Sequence, residues 1–296
     1  MEKFDLSHCT VCPRECKADR YSSVGACGAG AVLSVSKIMI HHWEEPCISG
    51  KDNSARGSGA VFFGGCPLKC VFCQNKAISR NTAKTEEYTP HRLAEELKKL
   101  EEAGAYNINF VSPTHFIPQI IETLDIYKPK IPIIFNTGGY EKAESVEALR
   151  GYADIFLTDF KYGTPEFGKK YSAAADYYET AAKSLYVMLS VAGKPEFSVD
   201  GMLNRGVVVR HLILPGGRHD SVAALEKVAE TVPATDVILS LMSQFTPDFV
   251  PPEIKELRRK ITTFEYEYVR NAALKMGFSG YSQDIASVGA AYTPDF

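Results

Sequence analysis

Three thiols, Cys66, Cys70 and Cys73, stand close together in the run Cys66-Pro67-Leu68-Lys69-Cys70-Val71-Phe72-Cys73, just after an apolar stretch at residues 59–63. Thiolates at gaps of three and two residues can wrap one iron–sulfur cluster from a single side. A four-iron cluster needs four ligands. This loop offers three, so one iron keeps an open position, as a catalytic metal centre does. The alternative is part of a structural zinc site. Zinc takes four ligands and favours paired C-x-x-C units, whereas here the third thiol lies four residues upstream of the pair.

A second group of thiols, Cys9, Cys12, Cys16 and Cys27, lies in CTVCPRECKADRYSSVGACGAG. Four thiols can close a tetrahedral zinc site or hold a second cluster. A segment this short has little core of its own, so a metal would supply its folding energy. The plainer alternative is a metal-free loop packed on the main body. His8 is a substitute ligand on paper, but reads more simply as a surface residue beside Cys9. Cys47 is the one thiol outside both groups, and a small buried residue is its default reading.

Bulk properties narrow the class. The chain has 296 residues, 45% hydrophobic and 23% charged, enough for a full core. A net charge of −3 gives no footprint for nucleic acid. The first residues carry charges and no apolar h-region, and the longest apolar runs are too short to span a bilayer. The expectation is therefore a cytoplasmic protein without a membrane partner, whose clustered cysteines bind metal rather than form disulfides.

The elements that must position these thiols alternate. Strand-like runs fall at residues 60–63, 107–111, 132–135, 154–158, 207–214 and 237–241, several apolar on successive residues as parallel strands covered on both faces are. Amphipathic stretches lie between them. TPHRLAEELKKLEEAG carries Leu93, Leu97 and Leu100 at helical spacing and ends in Gly104, a C-cap residue. Residues 31–55 read as a connector, a strand-like VLSVSKIMI followed by a polar loop. Six strand–helix units predict an α/β fold, a partial (β/α)6 TIM-type barrel with a Cys-rich N-terminal extension, since a complete barrel needs about 250 residues. Chemistry in such folds gathers at the C-terminal strand ends, which is where the Cys66–Cys73 loop falls.

Taken together, GGCPLKCVFCQN, NTGGY, TDFKY and VVVRHLILPG resemble the radical S-adenosylmethionine (SAM) superfamily, in the branch of pyruvate formate-lyase-activating enzymes. The N-terminal CTVCPRECKADRYSSVGACGAG and EEPCISG are similar to an uncharacterised activating-enzyme-like iron–sulfur subgroup of that branch. The resemblance implies a [4Fe-4S] cluster on Cys66, Cys70 and Cys73, with SAM on its open iron. It divides the chain into residues 1–55, the extension and connector, and 56–296, the radical SAM barrel with a C-terminal helix. Reductive cleavage of SAM to a 5'-deoxyadenosyl radical, hydrogen abstraction, and activation of a glycyl radical enzyme would follow. Other implied outcomes are modification of a small molecule or another peptide, or a non-catalytic metal-binding protein. A flavodoxin- or ferredoxin-type reductant and an oxygen-protected cytoplasm are implied as well.

The resemblance also assigns roles by motif. Phe72 would lie against the adenine of SAM, Asp159 and Lys161 would present charge to it, and Arg210 would take its carboxylate. Asn136 stands where activating enzymes often carry Asp. Each has a plainer alternative: a surface ion pair for Asp159 and Lys161, an inward structural salt bridge for Arg210, a helix cap for Asn136. His211 should face the other side of the sheet. Activating enzymes carry a Gly-Gly-Glu motif at the second strand end, and here Ser112-Pro113-Thr114-His115 replaces it. Ser112 and Thr114 then offer hydroxyls to SAM, while His115 and Gln244 remain without an assigned role.

Overall fold

Period-two alternation builds the molecule, and every inward side chain that matters below is set by it. In the computed structural model, which describes residues 4–50 and 56–282, the strands in chain order are β1 Leu33–His41, β2 Ser58–Phe63, β3 Glu86–Tyr88, β4 Asn107–Val111, β5 Ile133–Thr137, β6 Ile155–Asp159, β7 Glu196–Phe197, β8 Leu203–Leu212, β9 Ile238–Met242 and β10 Gly280–Ser282. The main sheet runs β10-β9-β8-β6-β5-β4-β2-β1-β3. Its strands from β2 to β10 are parallel, and β1 and β3 add antiparallel at one edge. The order does not close on itself. All six strands read from the sequence are present, within a few residues, as the parallel strands of an incomplete α/β barrel.

Along each parallel strand one set of side chains meets the helices and the other fills the barrel. Val61, Phe110, Phe135, Phe156, Val209 and Leu239 pack outward with Leu93, Leu97, Ile120, Leu185 and Leu225 of the helical layer. Ile134, Ile155, Leu157, Val208 and Ile238 point inward instead. The helix Pro90–Glu102 shows why the shell forms. Its Leu93, Leu97 and Leu100 are buried at helical spacing, Thr89 caps its start by accepting from Arg92 N, and Gly104 follows it at φ 82°.

Two differences from the sequence expectation concern the ends of the sheet. The connector is not a free linker: its apolar half is β1, paired with β2 from Val35–Phe63 to His41–Ser58. The chain then turns into the barrel, and a short helix, Pro46–Ser49, seats Cys47 and Ile48 against the inward-facing apolar side chains. Residues 51–55 of the expected connector lie outside the described residues. At the other end β10 adds a short parallel strand that three residues, one of them glycine, could not announce. Among the described residues no helix is long and apolar enough to cross a membrane.

The C-terminal helix Thr263–Lys275 is held by one carboxylate. Glu265 closes a capping box with Thr262, receives Gly216 N at 2.6 Å from the loop after β8, and pairs with Arg259 at 2.7 Å. The Arg259 guanidinium first, then these backbone donors, hold Glu265 well below the usual carboxylate range against the opposing effect of burial. Glu265→Ala is expected to cost about 2 kcal/mol in urea unfolding at pH 7. Because the folded value is depressed, that contribution is present above pH 4.5 and fades as pH falls through the folded value, so wild type and variant should converge in acid.

Candidate active site

The loop after β2 opens the site. Cys66, Cys70 and Cys73 all line one cavity of about 260 Å³ at the C-terminal ends of the strands. Each sulfur has donors facing it. Leu68 N–H faces Cys66, Ser172 Oγ donates to Cys70 Sγ at 2.9 Å, and Asn75 N–H and Ser79 Oγ face Cys73. Burial, and then the neighbouring Cys70 and Cys73, push the Cys66 thiol up to about 12. Three neighbouring sulfurs with donors turned towards them suit a cationic iron centre, which deprotonates thiols outright and is tuned by hydrogen bonds to its sulfurs. Among the described residues no three His, Cys, Asp or Glu side chains converge on a single ion. Three thiols are one short of the four ligands zinc takes, so the loop suits a cluster with one open iron better than one zinc.

Below the thiols lies a charged network. Register places Asp159 of β6 beside Arg210 of β8, both facing inward. Arg210 donates from Nε to Asp159 Oδ1 at 3.0 Å, from Nη1 to Glu44 Oε2 at 3.2 Å and from Nη2 to Asn136 Oδ1 at 2.6 Å. Glu44 Oε1 accepts from Asn136 Nδ2 at 3.0 Å and Asn109 Nδ2 at 3.2 Å. Lys161 pairs with Asp159. Burial alone would raise the Asp159 carboxyl, yet Lys161 and Arg210 hold it below its ordinary value. Glu44 and Glu45 also act on Arg210, and burial pushes both of these carboxyls up from their ordinary value.

Most residues singled out in the sequence meet here. Phe72, Ser112, Thr114, Asn136, Asp159, Lys161, Arg210 and Gln244 all line the cavity with the three thiols. Phe72 is buried and packs edge-on against Phe245. Ser112 takes a left-handed backbone, φ 57°, at the turn out of β4. Gln244 Nε2 lies 3.6 Å from Met242 Sδ. His115 is absent from the cavity wall. It is buried, its Nε2 meets Gly64 O at 2.8 Å, and burial lowers it to about 3, so it is a neutral packing residue. His211 points outward onto Phe160 O, as alternation requires. Cys47 is 1% exposed among apolar side chains, and burial pushes it up to about 11. The N-terminal thiols lie apart from the cavity wall, Cys9, Cys12 and Cys27 buried and Cys16 exposed.

Two carboxylates escaped sequence reasoning. Glu44 comes from the segment read as a polar loop, and its signal was the EEPCISG motif that begins with it, to which no site role was given. Glu141 follows β5 in Gly138-Gly139-Tyr140-Glu141, a glycine pair and a glutamate one strand later than expected. It is 1% exposed, accepts from Thr114 Oγ1 at 2.8 Å, and burial pushes it up to about 7. Between pH 4.5 and 7 the folded chain keeps a proton there that the unfolded chain has released, so stability falls as pH rises through that window. Glu141→Gln is neutral throughout. It should match wild type near pH 4.5 and exceed it by on the order of 2–3 kcal/mol at pH 8, measured by unfolding of protein free of metal and SAM.

Comparison with known proteins agrees with this geometry. Residues 60–204 match the radical SAM superfamily. The chain therefore carries a radical SAM superfamily domain, which spans the three thiols and the site residues up to Lys161. It is 26% identical over 280 residues to the uncharacterized protein MJ0674 of Methanocaldococcus jannaschii, with 91% of this chain and 75% of that protein aligned. A solved structure similar to it is the FeFe-hydrogenase maturase HydG from Carboxydothermus hydrogenoformans, at 13% identity and a TM-score of 0.43 over 81% of this chain. The chain spans 56% of the length of that structure. The superfamily implies an enzyme with a [4Fe-4S] cluster and SAM.

Proposed function

We propose that this protein uses SAM to abstract a hydrogen atom, with Cys66, Cys70 and Cys73 holding the cluster. The observation that carries the reading is that all three thiols line the same cavity as a buried network of ion pairs and hydrogen bonds from four strands and the β1–β2 connection. When bound, the reduced cluster supplies the electron that cleaves the SAM sulfonium bond, leaving methionine and a 5'-deoxyadenosyl radical.

The chain's own groups orient and shield. Phe72 offers an apolar face to an adenine. Glu141 offers a carboxylate for the SAM amino group and thereby replaces the glutamate missing after β4. Arg210, anchored by Asp159, Glu44 and Asn136, keeps a fixed direction in which its remaining N–H groups can meet a SAM carboxylate. The short helix Pro46–Ser49 fills the barrel behind them with Cys47 and Ile48 and keeps bulk water from that side.

For the substrate, the likeness of NTGGY, TDFKY and VVVRHLILPG to pyruvate formate-lyase-activating enzymes supports a backbone glycine of a partner glycyl radical enzyme, with a flavodoxin- or ferredoxin-type protein as reductant. A small-molecule substrate is the second reading. It is favoured by His41, Trp43, Glu44, Met242 and Gln244, which line the same cavity as the thiols and add polar and aromatic groups to its wall. The test is anaerobic reconstitution with dithionite and SAM. Deoxyadenosine should be released, and a glycyl radical signal in a candidate partner would separate the two substrates. Release of none by protein with its cluster loaded would overturn the proposal.

A further inference from the structure

We propose that Cys9, Cys12, Cys16 and Cys27 hold a second iron–sulfur cluster, in a site built by the N-terminal segment itself. The four thiols are neighbours. A side chain at Gly25 would lie 3.3 Å from Cys16 Sγ and 3.4 Å from Cys27 Sγ, so both sulfurs face the same glycine. Cys9 is tied to the turn around Cys16 by backbone bonds from Cys9 N to Ala18 O, 3.1 Å, and from Lys17 N to Cys9 O, 3.0 Å. Cys12 belongs to the same turn, where Glu15 N donates to Cys12 O at 3.0 Å.

Two further observations point to a ligand. The first is hydrogen bonding to sulfur. Arg14 N–H faces Cys12 and Ala29 N–H faces Cys27, each two residues beyond its cysteine. The same offset recurs in the Cys66–Cys73 loop, where Leu68 N–H faces Cys66 and Asn75 N–H faces Cys73. Backbone donors aimed at sulfur stabilise a thiolate and are a recognised control on cluster potential.

The second is a buried cation. Arg20 is 2% exposed, and among the described residues no carboxylate forms an ion pair with it. Its guanidinium donates to Gly30 O at 2.6 Å and to His115 O at 2.6 Å, and Nη1 lies 3.8 Å from Cys9 Sγ. A buried charge without a counter-charge is costly. Free cysteines are mostly neutral thiols near pH 7, whereas metal-bound ones are thiolates. A loaded site therefore supplies the anion that Arg20 lacks. Iron–sulfur rather than zinc follows from the donor pattern at sulfur, which these thiols share with the Cys66–Cys73 loop.

The site also touches the first one. Cys66 N donates to Cys27 O at 3.0 Å, so the residue that holds one corner here also braces the first thiol of the other loop. The experiment uses full-length protein prepared without air, with iron and zinc counted by plasma emission and the reduced clusters read by electron paramagnetic resonance. Wild type should hold about eight irons, four for each cluster. Cys12→Ala/Cys16→Ala should fall to about four and keep the signal that shifts on adding SAM. Cys66→Ala/Cys70→Ala/Cys73→Ala should also keep about four, with a signal indifferent to SAM. An iron-free triple variant would overturn the proposal, as would zinc that disappears from the N-terminal variant while its iron is unchanged. Failure of the SAM chemistry alone would show differently, as a wild-type signal that never responds to SAM while the N-terminal iron persists.

Discussion

Cys70→Ala protein, purified without air and given dithionite and SAM, is expected to release deoxyadenosine more than about a thousandfold more slowly than wild type, because the three thiols act as one unit. Its iron signal should no longer shift when SAM is added. Ser172→Ala provides the contrast. Ser172 Oγ donates to Cys70 Sγ at 2.9 Å and meets the Tyr162 hydroxyl at 2.5 Å, so it supports the sulfur without binding metal. Its loss should lower cleavage by about 10- to 100-fold, the range for groups that orient a metal ligand, with the iron count retained. Equal effects from the two variants would mean that the loop holds no cluster, or that Ser172 is needed simply to fold.

Arg210→Met has the largest expected effect on stability, about 3–5 kcal/mol, since it leaves Asp159 and Glu44 buried with one cation fewer. Arg210→Lys should recover only part of this. An ammonium restores the charge but cannot reach Asp159, Glu44 and Asn136 from one planar fork. Adding Glu44→Gln to Arg210→Met should recover at least about 1 kcal/mol, because the cost comes from the unbalanced carboxylate and not from lost packing. Strict additivity in that cycle, measured by urea unfolding, would remove Glu44 from the network. SAM cleavage should stay lost in the double variant, as neutral groups cannot hold the carboxylate of SAM.

The two results separate two kinds of information. Spacing along the chain was enough to bring Cys66, Cys70 and Cys73 to one cavity wall, because they lie in a single short loop. Period-two alternation was enough to send Arg210 inward and His211 outward, since a strand has only two faces. Parallel strands with covered faces were legible from six apolar runs for the same reason.

Contacts between segments far apart in sequence were not legible. Glu44 reaches Arg210 only because β1 pairs antiparallel with β2 and returns the chain into the barrel, and nothing in a polar loop specifies that path. Glu141 reaches the residues after β4 because parallel neighbours β4 and β5 end side by side, so a carboxylate from one strand end can accept from Thr114 after the other. His115 had no role assignable from sequence and is structural, because burial against Gly64 leaves it neutral. Local spacing fixes which ligands a loop can offer. Long-range strand pairing decides which charges face them, because charge balance in a buried site is a property of several segments at once.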